Sequence, residues 1–274
     1  MKLLWSLAIA AGMALSINAP ASAGKLDDIK AKGEIKYGLE AQYRPFEFRD
    51  ENNNIVGYDI DLADAFAKSL GVKAVPVDTN WSTVIQSLYN GDFDMIQGGM
   101  TATQKRFEKV NFSVPYMDAA SGLIMKKEGG PADFKGLNGK AVGAGTGTPQ
   151  IKMLEECAAA AGIAFDGAIQ TFDNDALAYE AMKSGRIAGY ASTIVSLLEG
   201  QKANPDLKAM SWNCDGKFGG EWTAAAFRKE DEDLRAAFDA FILESKKNGM
   251  LKDLQMKWFG QSFVEALPDK APAW

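Results

Sequence analysis

The chain has no histidine and only two cysteines among its 274 residues. Without imidazole no Ser-His-Asp or Cys-His apparatus can be assembled, and histidine-built metal clusters are excluded with it. Two thiols, Cys157 and Cys214, are too few for a disulfide-built scaffold, although an oxidising compartment would let them pair with each other. After the N-terminal segment no apolar run approaches the ~20 residues that span a bilayer, so no membrane insertion is expected. Positive charge is also short. With 30 Lys and Arg against 36 Asp and Glu the net charge is −6, which weighs against nucleic acid or anionic lipid as a partner.

What is present begins with Met1-Lys2, the apolar run Leu3 to Ile17, and Ala21-Ser22-Ala23 before Gly24. A basic start, an apolar core and a small-x-small site read as a cleavable secretory leader over 1–23, which places the mature chain in the periplasm. No cysteine follows the cleavage site, which argues against a lipid anchor. The length left after the leader suffices for two modest cores.

Strand-like and helix-like segments then alternate. Glu34 to Leu39 reads as a strand running into Glu40-Ala41-Gln42-Tyr43-Arg44-Pro45, and Asp50 to Asn54 as a turn. From Gly57 to Gly71 the apolar positions Ile60, Ala63, Phe66, Ala67 and Leu70 share one helical face, and Asp59, Asp61 and Asp64 fit the helix dipole better than a calcium loop. Lys73 to Val77 is a strand whose Pro76 suits a sheet edge. Trp81 to Leu88 is a helix, and Phe93 to Gln97 a third strand. A second series follows: strands Ser121 to Met125, Ala141 to Ala144, Ala168 to Phe172 and Ile187 to Ala191, with helices Pro149 to Ala161 and Asp175 to Ser184. Trp222 to Phe227 and two amphipathic helices close the chain. The fold class is α/β, with largely parallel sheets whose ligand edge lies at the strand C-termini.

The stretch Gly98-Gly99-Met100-Thr101-Ala102-Thr103-Gln104-Lys105-Arg106 stands out. A glycine turn leaving a strand offers backbone N–H groups, Thr103 suits the helix N-cap, and Arg106 sits in the first turn, where a cation opposes the dipole. That cost points to an anionic partner for Arg106, best a carboxylate that its guanidinium fork can grip with two bonds. Gly145-Thr146-Gly147-Thr148 before Pro149 makes another anion-receptive helix start.

Gly57-Tyr58-Asp59-Ile60-Asp61-Leu62, Gly98-Gly99-Met100-Thr101 with Arg106, Phe112-Ser113-Val114-Pro115-Tyr116, Gly145-Thr146-Gly147 and Lys257-Trp258-Phe259-Gly260 resemble, in this order, the polar amino-acid-binding proteins of ABC importers. The resemblance implies two α/β lobes, each a central sheet flanked by helices, joined by crossings near Met117 to Gly122 and Phe218 to Thr223. Lobe 1 would comprise 24–117 and 221–274, and lobe 2 residues 118–220. It further implies that Arg106 clamps a ligand carboxylate with Thr101 and backbone groups of Gly99 and Gly147. Tyr43 and Trp81 would sandwich the ligand body, and Glu40 would read its side chain. Gly98, Thr146, Ser192 and Thr193 complete the expected ligand-binding set. No cofactor is implied. The partners would be a small zwitterionic ligand and an inner-membrane ABC permease, with the receptor itself a monomer. A disulfide between Cys157 and Cys214 is expected within lobe 2.

One position departs from the pattern. Relatives usually carry an aspartate for the ligand α-ammonium where this chain has Thr193, in Gly185-Arg186-Ile187-Ala188-Gly189-Tyr190-Ala191-Ser192-Thr193. A buried ammonium without an anion is costly. Either Glu40 or Glu221 supplies the charge, or the ligand is not a standard α-amino acid. The alternatives to an amino-acid receptor are a receptor for a compatible solute such as a cyclic amidine zwitterion, one that also signals to a sensor protein, and an exported dehydratase of cyclic amino-acid precursors with Glu40 or Glu221 as general acid.

Overall fold

The computed structural model describes residues 24–214 and 221–274. The expected leader, and the part of the second crossing at 218–220, lie outside the described residues.

Two five-stranded sheets organise the chain. The first runs in the order Lys73–Asp78, Glu34–Leu39, Met95–Ile96, Ala226–Phe227, Asn111–Phe112. Its first three strands are parallel, and Ala226–Phe227 lies antiparallel to both neighbours. The second runs Gln170–Phe172, Val142–Gly145, Gly189–Thr193, Ser121–Lys126, Leu207–Ser211. There too the first three are parallel, while Ser121–Lys126 is antiparallel to both of its partners. The sheets are therefore mixed rather than wholly parallel. In each lobe the strands made where the chain enters or returns reverse direction, because they are not preceded by a helical crossover. Met117–Asp118 and Trp222–Thr223 pair antiparallel as a two-stranded ribbon between the lobes.

Local chemistry explains most boundaries. The helix Tyr58–Leu70 buries Tyr58, Leu62, Ala63, Phe66 and Ala67 and is stopped by Gly71, whose N–H returns to the Ala67 and Lys68 carbonyls. At its start a Cβ on Gly57 would lie 2.1 Å from the Phe46 carbonyl oxygen, so only glycine fits there. The Tyr58 and Asp59 amides donate to the Pro45 and Phe46 carbonyls, fixing the helix start beneath the loop that carries Tyr43. The segment Trp81 to Leu88 is not one helix. Asn80 accepts from the Ser82 amide at 2.9 Å and holds Trp81–Thr83 as a tight turn before the helix Val84–Asn90. Phe93 to Gln97 shortens to the strand Met95–Ile96, and Trp222 to Phe227 divides into two short strands. Lys73–Asp78 passes through Pro76 and occupies a sheet edge. Unforeseen are the helices Lys25–Lys32 and Ile194–Ala203 and the small sheet of Gln42–Tyr43, Glu47–Arg49 and Ile55–Val56.

The first lobe packs Phe66 edge-on against Phe238 at 4.9 Å, with Tyr116 and Phe227 closing the cluster. Asp61 ties the last long helix to it by accepting from Lys257 Nζ at 2.6 Å and Trp258 Nε1 at 2.7 Å. In the second lobe Met153, Leu154 and Cys157 cover one sheet face, while Tyr179, Met182 and Leu197 pack in a separate cluster with Ile124 and Tyr190. Cys157 and Cys214 form a disulfide with a Cα separation of 5.5 Å.

Candidate functional site

The C-terminal ends of the parallel strands in both sheets meet at one cleft of roughly 600 Å³, part of it open to solvent. From the first lobe it is lined by Glu40, Tyr43, Trp81, Gly98, Gly99, Thr101 and Arg106, and from the second by Thr146, Ser192 and Thr193. Gly147 is not in the lining. It sits at the rim, with its carbonyl accepting from Arg106 Nη2 at 3.2 Å.

Arg106 follows a helix cap that Thr103 provides by accepting from the Arg106 amide. Its Nη1 donates to the Thr101 carbonyl at 2.8 Å, and its guanidinium carbon lies 5.5 Å from the Trp81 ring centre. Burial lowers its pKa to about 10, which leaves it charged at neutral pH. No carboxylate among the described residues is hydrogen-bonded to it. Thr101 forms a bridge with Thr223 flanked by the bonds Ala102 N–H to Trp222 and Ala224 N–H to Met100. Thr101 is thus the non-hydrogen-bonded member of the pair, so its N–H points away from Thr223, to the side where its carbonyl meets Arg106.

Gly99 behaves differently from the expectation of a free N–H. At φ +58 it turns its amide onto Asp59 Oδ2, at 2.5 Å. A Cβ there would also lie 2.7 Å from the Tyr43 ring. Asp59 is fully buried beside Glu47, so it does more than complement a helix dipole. Burial raises the Asp59 pKa to about 7 despite the Gly99 amide, and burial together with Asp59 pushes Glu47 well above the carboxylate range. Glu47 therefore carries the proton of the pair, and it also faces the cleft.

Glu40, at the end of the first strand, accepts only a long 3.5 Å bond from the Trp81 amide. Burial raises its pKa to about 7; the Trp81 amide opposes this, and Asp173, Asp78 and Asp175 add to it. Tyr43 stacks on Phe46 with ring centres 5.1 Å apart and shares a 2.7 Å hydrogen bond with Thr193 of the other lobe. Asn174 Nδ2 to Gln42 Oε1 at 2.8 Å also crosses the cleft.

Besides Glu47, two further acids in the lining escaped the sequence reading. Asp173 accepts from the Thr146 hydroxyl at 3.2 Å. Asp175, which opens the helix Asp175–Lys183, accepts from the Tyr190 hydroxyl at 2.7 Å and lies 2.6 Å from the Ser196 hydroxyl. Burial raises its pKa, with the hydroxyls of Ser196, Tyr190 and Ser192 opposing. The available signal was the run Asp173-Asn174-Asp175 directly after a strand, at the same sheet edge as the other loops. Glu221, the other acid considered for the ammonium, lies outside the lining and accepts from the Ser121 hydroxyl at 3.1 Å. Among the described residues no cluster suited to a metal and no helix long and apolar enough to cross a membrane occurs.

The model of bacterial extracellular solute-binding proteins, family 3, matches residues 35–261. The chain belongs to this family. It is 31% identical over 257 residues to the L-cystine-binding protein TcyJ of Escherichia coli strain K12, covering 93% of this chain and 92% of that one. A mutant of the T. maritima protein ArgBP superposes with a TM-score of 0.77 at 34% identity, covering 86% of this chain and all of that one. An ancestral amino acid-binding protein described as a precursor of cyclohexadienyl dehydratase gives 0.75 at 33%, with the same coverage. This family 3 protein shares the two-lobed α/β architecture of those neighbours, and its cleft lies where the two sheets present their strand ends.

Proposed function

We propose that the chain is a periplasmic receptor that closes two lobes on an amino acid or related amine-bearing carboxylate and delivers it to the permease of an ABC importer. The observation that carries this reading is Arg106, a half-buried guanidinium with two backbone carbonyls as its hydrogen-bond acceptors, set in a cleft whose other charged groups among the described residues are carboxylates. A ligand carboxylate completes that fork, with the Thr101 amide beside it. Tyr43 and Trp81 flank the ligand body, Glu40 faces a cation on it, and Gly98, Gly99, Thr146, Gly147, Ser192 and Thr193 shape the walls. Residues 24–117 with 221–274 move as one body and 118–220 as the other, about the paired crossings. The leader over 1–23 directs export, and the receptor acts as a monomer.

The neighbour described as a dehydratase precursor keeps a second reading in view, in which Glu40, with a pKa near neutrality, serves as a general acid. That neighbour is itself described as amino acid-binding, and catalysis by this chain is not proposed. The test is a thermal-shift screen of amino acids, amines and compatible solutes on protein refolded to remove carried-over ligand, followed by calorimetry on the hits. A stabilising amino acid bound without turnover is expected. Binding of dicarboxylates alone, or conversion of a cyclic precursor, would overturn the proposal.

A further inference from the structure

The cleft is overstocked with carboxylates. Among the described residues, Glu40 from the first lobe and Asp173 and Asp175 from the second share the lining with one guanidinium, that of Arg106, while Glu47 holds the proton it shares with Asp59. A ligand with one carboxylate and one ammonium uses Arg106 and a single acid, leaving further negative charge in a partly desolvated space. A ligand with one carboxylate and two cations uses Arg106 and two acids. The charge balance therefore favours a net cationic ligand.

The position where an ammonium partner was expected carries Thr193, and its hydroxyl is taken up by Tyr43. Next to it in the strand, the Ser192 hydroxyl favours the ionised form of Asp175, whose carboxylate is held by the neutral hydroxyls of Tyr190 and Ser196. The Ser196 hydroxyl also lies 2.8 Å from the Arg44 carbonyl of the other lobe, and its one proton serves one acceptor at a time. Asp175 is thus oriented by its surroundings but has no cation among the groups that shift it. Asp173 is exposed and engaged by Thr146, and Glu221 lies in the crossing, so neither is placed as well.

Resting on the receptor reading above, we propose that Asp175 seats the ligand α-ammonium in place of the acid missing at Thr193, leaving Glu40 as the seat of a second cation, so that the cleft selects amino acids with a cationic side chain. The charge has moved from the end of one central strand to the start of the helix Asp175–Lys183, within the same lobe. It still closes onto the ligand with that lobe.

The test is a cycle that pairs two proteins with two ligands. L-Arginine is compared with argininic acid, in which a hydroxyl replaces the α-ammonium, on the parent and on Asp175→Asn, by calorimetry. The parent should prefer L-arginine by about tenfold or more, and Asp175→Asn should lose most of that preference by weakening L-arginine alone. Glu40→Gln should weaken L-arginine while sparing L-glutamine. Melting of each ligand-free variant checks its fold, and Asp175→Ser replaces the asparagine variant if that does not fold. If the parent binds L-arginine and the variant weakens both ligands equally, or neither, Asp175 is only a structural acceptor and the proposal is overturned. If the parent binds L-glutamine or another amino acid of the screen but not L-arginine, the proposal is overturned while the receptor reading stands; if it binds no amino acid of the screen, that reading fails and this seat with it.

Discussion

Tyr43 of the first lobe and Thr193 of the second share a 2.7 Å hydrogen bond across the cleft, while the Tyr43 ring lies flat on Phe46 behind it. The phenol is thus anchored in one lobe by stacking and in the other by its oxygen. Replacing Tyr43 with phenylalanine keeps the first attachment and deletes the second. A hydrogen bond of this kind contributes about 1 kcal/mol, so affinity should fall roughly fivefold, with ligand-bound scattering showing a less compact average. Unchanged affinity and radius would mean that this bond does not help hold the lobes together.

Arg106→Ala removes the one cation that the described residues place in the cleft lining and leaves a bound carboxylate facing backbone carbonyls. Loss of a few kcal/mol of binding free energy is expected, to be read by calorimetry. Arg106→Lys should recover little of it, since an ammonium cannot reproduce the two-bond fork. A lysine variant with parental affinity would show that charge alone suffices there.

Glu40 gives binding a pH dependence of definite sign. With its pKa raised to about 7, it is mostly protonated at pH 6 and mostly ionised at pH 8. A cationic group facing it should therefore bind roughly tenfold more tightly at pH 8 than at pH 6, with proton release on binding near neutrality. The same titration on Glu40→Gln should be much flatter. Equal pH profiles for the two proteins would remove Glu40 from contact with the ligand.

The buried pair of Glu47 and Asp59 makes a separate prediction about stability. Burial and the neighbouring Asp59 let the folded state keep the Glu47 proton to well above the ordinary carboxylate value, whereas the unfolded chain loses it there. In that window the folded state binds more protons, so stability falls as pH rises. Glu47→Gln mimics the protonated form without titrating. Its denaturation midpoint should match the parent near pH 5 and exceed it near pH 8. A variant destabilised equally at both values would show that Gln packs badly and that the proton is not the issue.

The parts of the site visible in the sequence were those tied to local pattern. Tyr43, Trp81 and Arg106 each follow a strand C-terminus, and the spacing of apolar residues marked the helix Tyr58–Leu70. The empty charge position at Thr193 could also be read directly. What could not be read was which acids become buried. Asp59 and Asp175 both sit at helix starts, where an acid normally needs no further explanation. Only the meeting of Asp59 with Gly99, forty residues away, and of Asp175 with Tyr190 and Ser196 separates them from solvated caps. The small sheet carrying Tyr43 was hidden for a similar reason, since strands of two or three residues carry no period of their own.

Pro76 lies in a strand whose register with Glu34–Leu39 runs unbroken from Lys73 to Asp78. A residue with no N–H tolerated there interrupts nothing on the paired side, so the missing donor falls on the open margin of the sheet. With Lys73 and Asp78 exposed at the two ends, that margin makes a poor template for a strand from another molecule. A single ring thus denies this edge the full ladder of donors that a strand from a second copy would need.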